Sequence, residues 1–206
     1  KSEASAADDI QWAEGESYDL IFANSNTPQA GPSVGAQKAI DYIMEKSEGH
    51  INITPYYNTL VESGDLLDGV MQGVADIVYM APAMYPGSMP AIDLMNMNFV
   101  REMPDTLGLT MIAREAIETI PELQEEAAKL GFYIIDLTYS PHNFFACHGE
   151  DALKINKPED IKGLIILATG VDGLVLDQAG ASSISMAPAD WYSSFERSEE
   201  RRVGKE

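Results

Sequence analysis

Tyr18–Ala23 reads YDLIFA, and Asn24-Ser25-Asn26-Thr27-Pro28 follows at once. A short apolar run cut off by turn-forming residues predicts a buried strand that ends in a loop. A helix is expected from about Pro32 to Lys46, because Ala36, Ile40, Ile43 and Met44 recur at helical spacing. Gly49 closes it, and Ile51–Tyr57 alternates as a second strand. Leu67, Val70, Met71 and Val74 then mark a second helix, and Asp76–Met80 a third apolar strand. Such a β-α-β-α-β series favours a mostly parallel sheet covered by helices.

Working outward, the middle of the chain is helical. Leu109, Ile112, Ala113, Ala116, Ile117 and Ile120 form one stripe. Thr119 and Glu122 have capping-box spacing, and Pro121 suits a first helical turn. That helix is expected to end at Gly131, with strands at Phe132–Thr138 and Asn143–His148. After Pro141 the pattern restarts. Asn156, Pro158 and Glu159 open a short helix that Gly163 closes, and Leu164–Ala168 reads as a strand. Val171–Ala179 reads as a helix, Ser183–Met186 as a strand, and Pro188–Glu196 as the start of another helix. The expected organisation is a leader over 1–17, a first α/β lobe over 18–140 and a partial second α/β lobe over 141–196.

Composition narrows the function classes. The chain carries 33 acidic and 13 basic residues in 206, a formal charge of −20. Such a charge repels nucleic acid and anionic lipid at long range, so no nucleic-acid partner is expected. Hydrophobic residues make up 45%, enough for a real core. No apolar run approaches the ~18 residues of a membrane-spanning helix. Cys147 is the only cysteine, so no intrachain disulfide can form.

Both ends differ from the body. The opening KSEASAADD is small, polar and acidic, and reads as a flexible leader. One origin is the stalk left by a removed secretion signal; the other is an arbitrary boundary of the piece. Arg197–Glu206 reads RSEERRVGKE, whereas the preceding body has only Arg101 and Arg114. The codons AGA TCG GAA GAG CGT CGT GTA GGG AAA GAG would encode this tail and resemble a sequencing adapter. The tail is therefore expected to be non-native, with the natural frame interrupted near Glu196 or Arg197. The competing reading is a genuine basic helix end.

Signals for catalysis are weak. Gly170, Gly173 and Gly180 do not form the dinucleotide fingerprint, and no phosphate loop is present. His142, Cys147 and His148 lie close in sequence, but neighbouring strand residues face opposite ways. No metal site, catalytic pair or cofactor is expected. Asp65 and Asp68 share a turn and read first as helix-start and surface acids; Asp65 is kept among the candidate binding residues.

Residues at strand ends are more informative, because open α/β sheets bind ligands beyond the carboxyl ends of their strands. Those places hold Asn24, Ser25 and Asn26; Tyr57 and Asn58; Ala81–Tyr85; and Leu167–Thr169. Each alone is also ordinary turn chemistry. Their recurrence at successive strand ends points to binding.

Four motifs in order carry a family resemblance. Ala39–Ile53 (AIDYIMEKSEGHINI) has the "EKSGGRV" style of turn, and Gly64–Ile77 (GDLLDGVMQGVADI) looks like the next helix and strand. Lys157–Ile166 (KPEDIKGLII) is similar to "TPEDLKGLKI", and Gly180–Phe195 (GASSISMAPADWYSSF) to "GANPVPMPFSEVYTAL". Over about residues 18–196 the chain resembles the solute-binding proteins of tripartite ATP-independent periplasmic (TRAP) transporters, of the C4-dicarboxylate-binding type.

The resemblance implies an α/β, two-lobed, periplasmic-binding-protein-like fold, incomplete at the C-terminus. It implies a receptor that closes on a small organic solute and passes it to a TRAP-type permease, without being an enzyme. A monomer is expected, periplasmic or lipid-anchored outside the cytoplasmic membrane. The alternatives are a receptor for an ATP-driven importer and, more distantly, an α/β enzyme. Two family arginines correspond here to Leu167 and Phe145, which cannot hold a carboxylate bidentately. The expected ligand is therefore less anionic than a C4-dicarboxylate, or has its carboxylate anchored by another device. Leu167 and Phe145 would form an apolar wall, and Asn24, Asn26, Tyr57, Tyr85 and Thr169 would supply hydrogen bonds. Trp191 would add a flat surface or, equally, serve the core.

Overall fold

The computed structural model describes Trp12, residues 15–96, 106–138, 155–168 and 170–184, Met186, Asp190 and residues 193–194. The chain divides into two compact units whose main segments are Lys1–Met80 and Ala81–Met186.

The first unit is the β-α-β-α-β series. Strand β1 (Tyr18–Asn24) lies between β2 (Ile51–Tyr57) and β3 (Ile77–Tyr79) in the order β2-β1-β3, and both pairings are parallel. Tyr18 is in register with Ile51, and Asn24 with both Tyr57 and Tyr79. Helix α1 (Gly31–Lys46) is the first crossover and α2 (Leu66–Met71) the second. Phe22, Ile40 and Ile53 form the core, and Ala36, Met44, Tyr57 and Ile77 pack against it. Asp76 extends the β1–β3 pairing by one rung. Its carboxylate accepts from the Ile21 N–H at 2.8 Å, and its own N–H donates to the Ile21 carbonyl at 3.0 Å.

Two details of this unit differ from expectation. Helix α2 is short and preceded by a 3-10 turn at Ser63–Asp65. Its buried side is Leu66, Leu67 and Gly69, while Met71 and Val74 are exposed. The chain leaves the helix at Gly73, whose φ of 72° suits glycine, so Val74 never joins the helical stripe. Likewise Ile43 sits at the rim of α1, and only Ile40 of that stripe is fully buried.

In the second unit, α3 (Pro90–Asn96), α4 (Thr106–Thr119) and α5 (Pro121–Lys129) pack together, α5 against both of the others. Met89, Ile92, Ala113, Ile117, Leu123 and Ala127 are buried. Of the α4 stripe, Ala113 and Ile117 reach the core, whereas Ile112 and Ile120 are exposed. The expected capping box does not form. The Thr119 hydroxyl donates back to the Glu115 carbonyl at 2.6 Å, so Ile120 becomes the N-cap of α5 and Pro121 opens it. A carboxylate elsewhere does the capping work. Glu126 of α5 accepts from the Ala91 N–H with both oxygens at 3.1 Å, covering the first turn of α3.

The segment Phe132–Thr138, expected as a strand, joins no sheet among the described residues. The Gln124 side chain substitutes for a neighbouring strand. It donates to the Ile134 carbonyl at 2.8 Å and accepts the Ile134 N–H at 3.1 Å. Tyr133 and Ile135 point outward, each 72% exposed.

The later part follows the expected order. A 3-10 turn at Pro158–Ile161 leads into β4 (Ile165–Leu167), α6 (Gly170–Gln178) and β5 (Ser182–Ile184), with β4 and β5 parallel. Asp177 fixes the crossover by accepting from the Ser183 N–H at 2.6 Å and its hydroxyl at 2.9 Å. The expected strand Asn143–His148 lies outside the described residues, as does most of the expected helix Pro188–Glu196.

Candidate functional site

The carboxyl ends of β1 and β2 meet because the two strands are parallel and in register. That brings Asn24, Asn26, Tyr57 and Asn58 to one edge of one sheet. Asn24 is 1% exposed and organises the edge. Its side-chain oxygen accepts from the Asn26 N–H at 2.7 Å and the Asn26 amide at 2.8 Å, which is an Asx-type turn. Its side-chain nitrogen donates to the Ser33 hydroxyl at 3.3 Å, reaching the start of α1. Its backbone carbonyl accepts the Asn58 N–H at 2.6 Å. Asn58 has φ 53°, a left-handed conformation that asparagine tolerates better than most residues. Asn24 thus builds the loop, and the half-buried Asn26 and exposed Asn58 present the polar groups.

Tyr57 is half-buried, its ring edge-on to Phe22 with centroids 6.1 Å apart. Its hydroxyl donates to Gln37 Oε1 at 2.9 Å, and Gln37 Nε2 donates to Asp41 Oδ1 at 2.8 Å. Burial, and then the Asp41 charge, raise the Tyr57 pKa above its ordinary value. The phenol is therefore neutral at physiological pH. Gln37 and Asp41 were not among the sequence-based candidates. Their i, i+4 spacing on one helix was the available signal.

The other candidates are placed separately. Asp65 is exposed at the end of the 3-10 turn before α2, and its side chain makes no cap bond. Tyr85 belongs to the second unit, where its N–H donates to the Pro82 carbonyl at 2.9 Å. Leu167 ends β4, half-buried and in register with Ile184. Phe145, Thr169 and Trp191 lie outside the described residues, as do His142, Cys147 and His148. Among the described residues, no group of three or more His, Cys, Asp or Glu could hold a metal ion. Among them too, no helix is long and apolar enough to cross a membrane.

The parallel sheet, with amide and phenol groups gathered at its carboxyl-end loops, is an α/β arrangement of the type in which ligands bind beyond the strand ends. The chain belongs to the bacterial extracellular solute-binding proteins, family 7, whose family model matches residues 22–198.

Solved structures agree on the fold. A TRAP periplasmic solute-binding protein from Sulfitobacter sp. NAS-14.1, with bound β-D-galacturonate, is 18% identical at a TM-score of 0.63. The alignment covers 86% of this chain and 58% of that one. A Bordetella pertussis extracytoplasmic solute receptor binding pyroglutamic acid is 17% identical at 0.67, covering 84% and 55%. A TRAP solute-binding protein from Rhodoferax ferrireducens T118, with copurified benzoate, is 20% identical at 0.67, covering 89% and 55%. The present chain therefore spans little more than half the length of these structures.

Proposed function

We propose that the protein is the extracytoplasmic receptor of a TRAP-type transporter, which captures a small organic solute and passes it to the membrane permease without transforming it. The family match over residues 22–198 carries this reading. The carboxyl-end loops of β1 and β2 form part of the binding surface, with Asn26 and Tyr57 in contact with solute. Tyr85, Leu167, Phe145, Thr169, Trp191 and Asp65 are assigned to the same role from their places in the sequence.

The solute is a small organic acid or a neutral relative of one. Three of the structural neighbours carry galacturonate, pyroglutamic acid and benzoate, each with a single carboxyl group, and another carries diglycerolphosphate. Leu167 stands where the resemblance places a carboxylate-binding arginine, so a dicarboxylate is disfavoured. Arg114 offers no substitute, because it pairs with Asp136 at 3.3 Å on the surface. A thermal-shift screen of the full-length protein tests the ligand class. Stabilisation by monocarboxylates or neutral solutes is expected. Stabilisation by succinate alone would overturn the assignment.

A further inference from the structure

The hydroxyl proton of Tyr57 has a fixed direction, and the cause is two residues away. The Asp41 side chain is a carboxylate, which only accepts. The Gln37 group 2.8 Å from it must then be the NH2 end of the amide. That orientation turns the Gln37 oxygen towards Tyr57, and an amide oxygen also only accepts. The phenol must therefore donate its single proton to Gln37, across 2.9 Å. What remains on Tyr57 is oxygen lone pairs.

We infer that Tyr57 is a specificity-determining hydrogen-bond acceptor: its oxygen takes a bond from a hydroxyl or N–H of the solute and cannot donate to a carboxylate. The inference rests on the receptor reading above and adds to it the kind of group recognised at the end of β2. Tyr57 ends β2 opposite Asn24 and is half-buried, at the strand-end edge beyond which open α/β sheets bind ligands. The Asp41 charge behind the relay further favours a donor and disfavours an anion at this point. A solute group that arrives with a carboxylate oxygen meets lone pair against lone pair. A hydroxylated or N–H-bearing solute meets a complementary partner.

Two pairs of solutes that differ by one hydroxyl test this: malate against succinate, and 3-hydroxybenzoate against benzoate. Affinities are measured by titration calorimetry on the full-length protein and on its Tyr57→Phe and Gln37→Met variants. The wild type is expected to prefer the hydroxylated member of the pair it binds by about tenfold, the scale of one well-made hydrogen bond. Tyr57→Phe keeps the ring against Phe22 and is expected to remove most of that preference, leaving the other member within about twofold. Gln37→Met frees the phenolic proton and is expected to narrow the preference as well. A preference unchanged in Tyr57→Phe, in a variant whose ligand-free melting temperature matches wild type, would overturn the inference and leave the receptor reading intact. A wild type indifferent to the hydroxyl would do the same. If none of these four solutes, nor galacturonate nor pyroglutamate, nor any neutral relative of them, binds the wild type, the receptor reading fails and the inference falls with it.

Discussion

Asn24 and Ser33, each 1% exposed, are joined by a hydrogen bond from the asparagine Nδ2 to the serine Oγ at 3.3 Å. The bond ties the end of β1 to the first turn of α1, across the loop that carries Asn26. Asn24→Ala would leave the Asn26 backbone N–H without its acceptor and open a small cavity. The expected cost is about 2–3 kcal/mol of folding stability. Urea unfolding followed by circular dichroism would measure it. A loss under about 0.5 kcal/mol would mean the loop finds other partners readily.

Much of the first unit was legible in the sequence because its apolar runs and breakers have one reading. YDLIFA, ended by Asn24, reads as a strand buried at its carboxyl end, and its parallel neighbours follow from the intervening helical stripe. What stayed hidden depends on pairing through side chains. Phe132–Thr138 has strand-like composition, yet its hydrogen bonds at Ile134 go to the Gln124 amide. Thr119 has the spacing of a cap, yet its hydroxyl turns back to Glu115. At the candidate site, strand ends located Asn24, Asn26 and Tyr57. The Asn24–Asn26 turn is ordinary local chemistry, but no local pattern revealed the bond from the Asn24 amide to Ser33 at the start of α1.

Glu126 replaces a local cap for α3, bonding the Ala91 N–H from a different helix. Glu126→Ala is expected to destabilise the protein by about 1–2 kcal/mol, the range of a lost N-cap. Glu126→Gln keeps one acceptor and is expected to lose less. Thermal unfolding of both variants checks the order. Equal stability of the alanine variant and wild type would show that α3 does not depend on this contact.

Alkaline pH gives a further test at Tyr57. Its folded-state pKa is raised by burial and by Asp41, so the folded protein holds the proton more tightly than the unfolded chain. The contribution to stability is fully present below the ordinary phenol pKa of about 10 and is lost as pH rises through the folded value. Wild type should therefore lose more stability than Tyr57→Phe as pH rises above the ordinary phenol pKa of about 10. Parallel denaturant titrations over that rise would check this. Identical pH profiles would contradict the burial of the Tyr57 phenol.

The Arg114–Asp136 pair is exposed on both sides, at 63% and 42%. Solvent and salt screen such a pair, so Asp136→Asn is expected to cost under about 1 kcal/mol. Half a molar salt should weaken wild type towards the variant. A loss of several kcal/mol, insensitive to salt, would show that Asp136 has another function in the fold.

The receptor reading is tested most directly by calorimetric titration of the full-length protein with monocarboxylate and hydroxylated organic acids, followed by recovery of the solute. Saturable binding at one site, with the solute returned chemically unchanged, is the predicted result. Absence of binding across the panel, or recovery of a converted product, would contradict it.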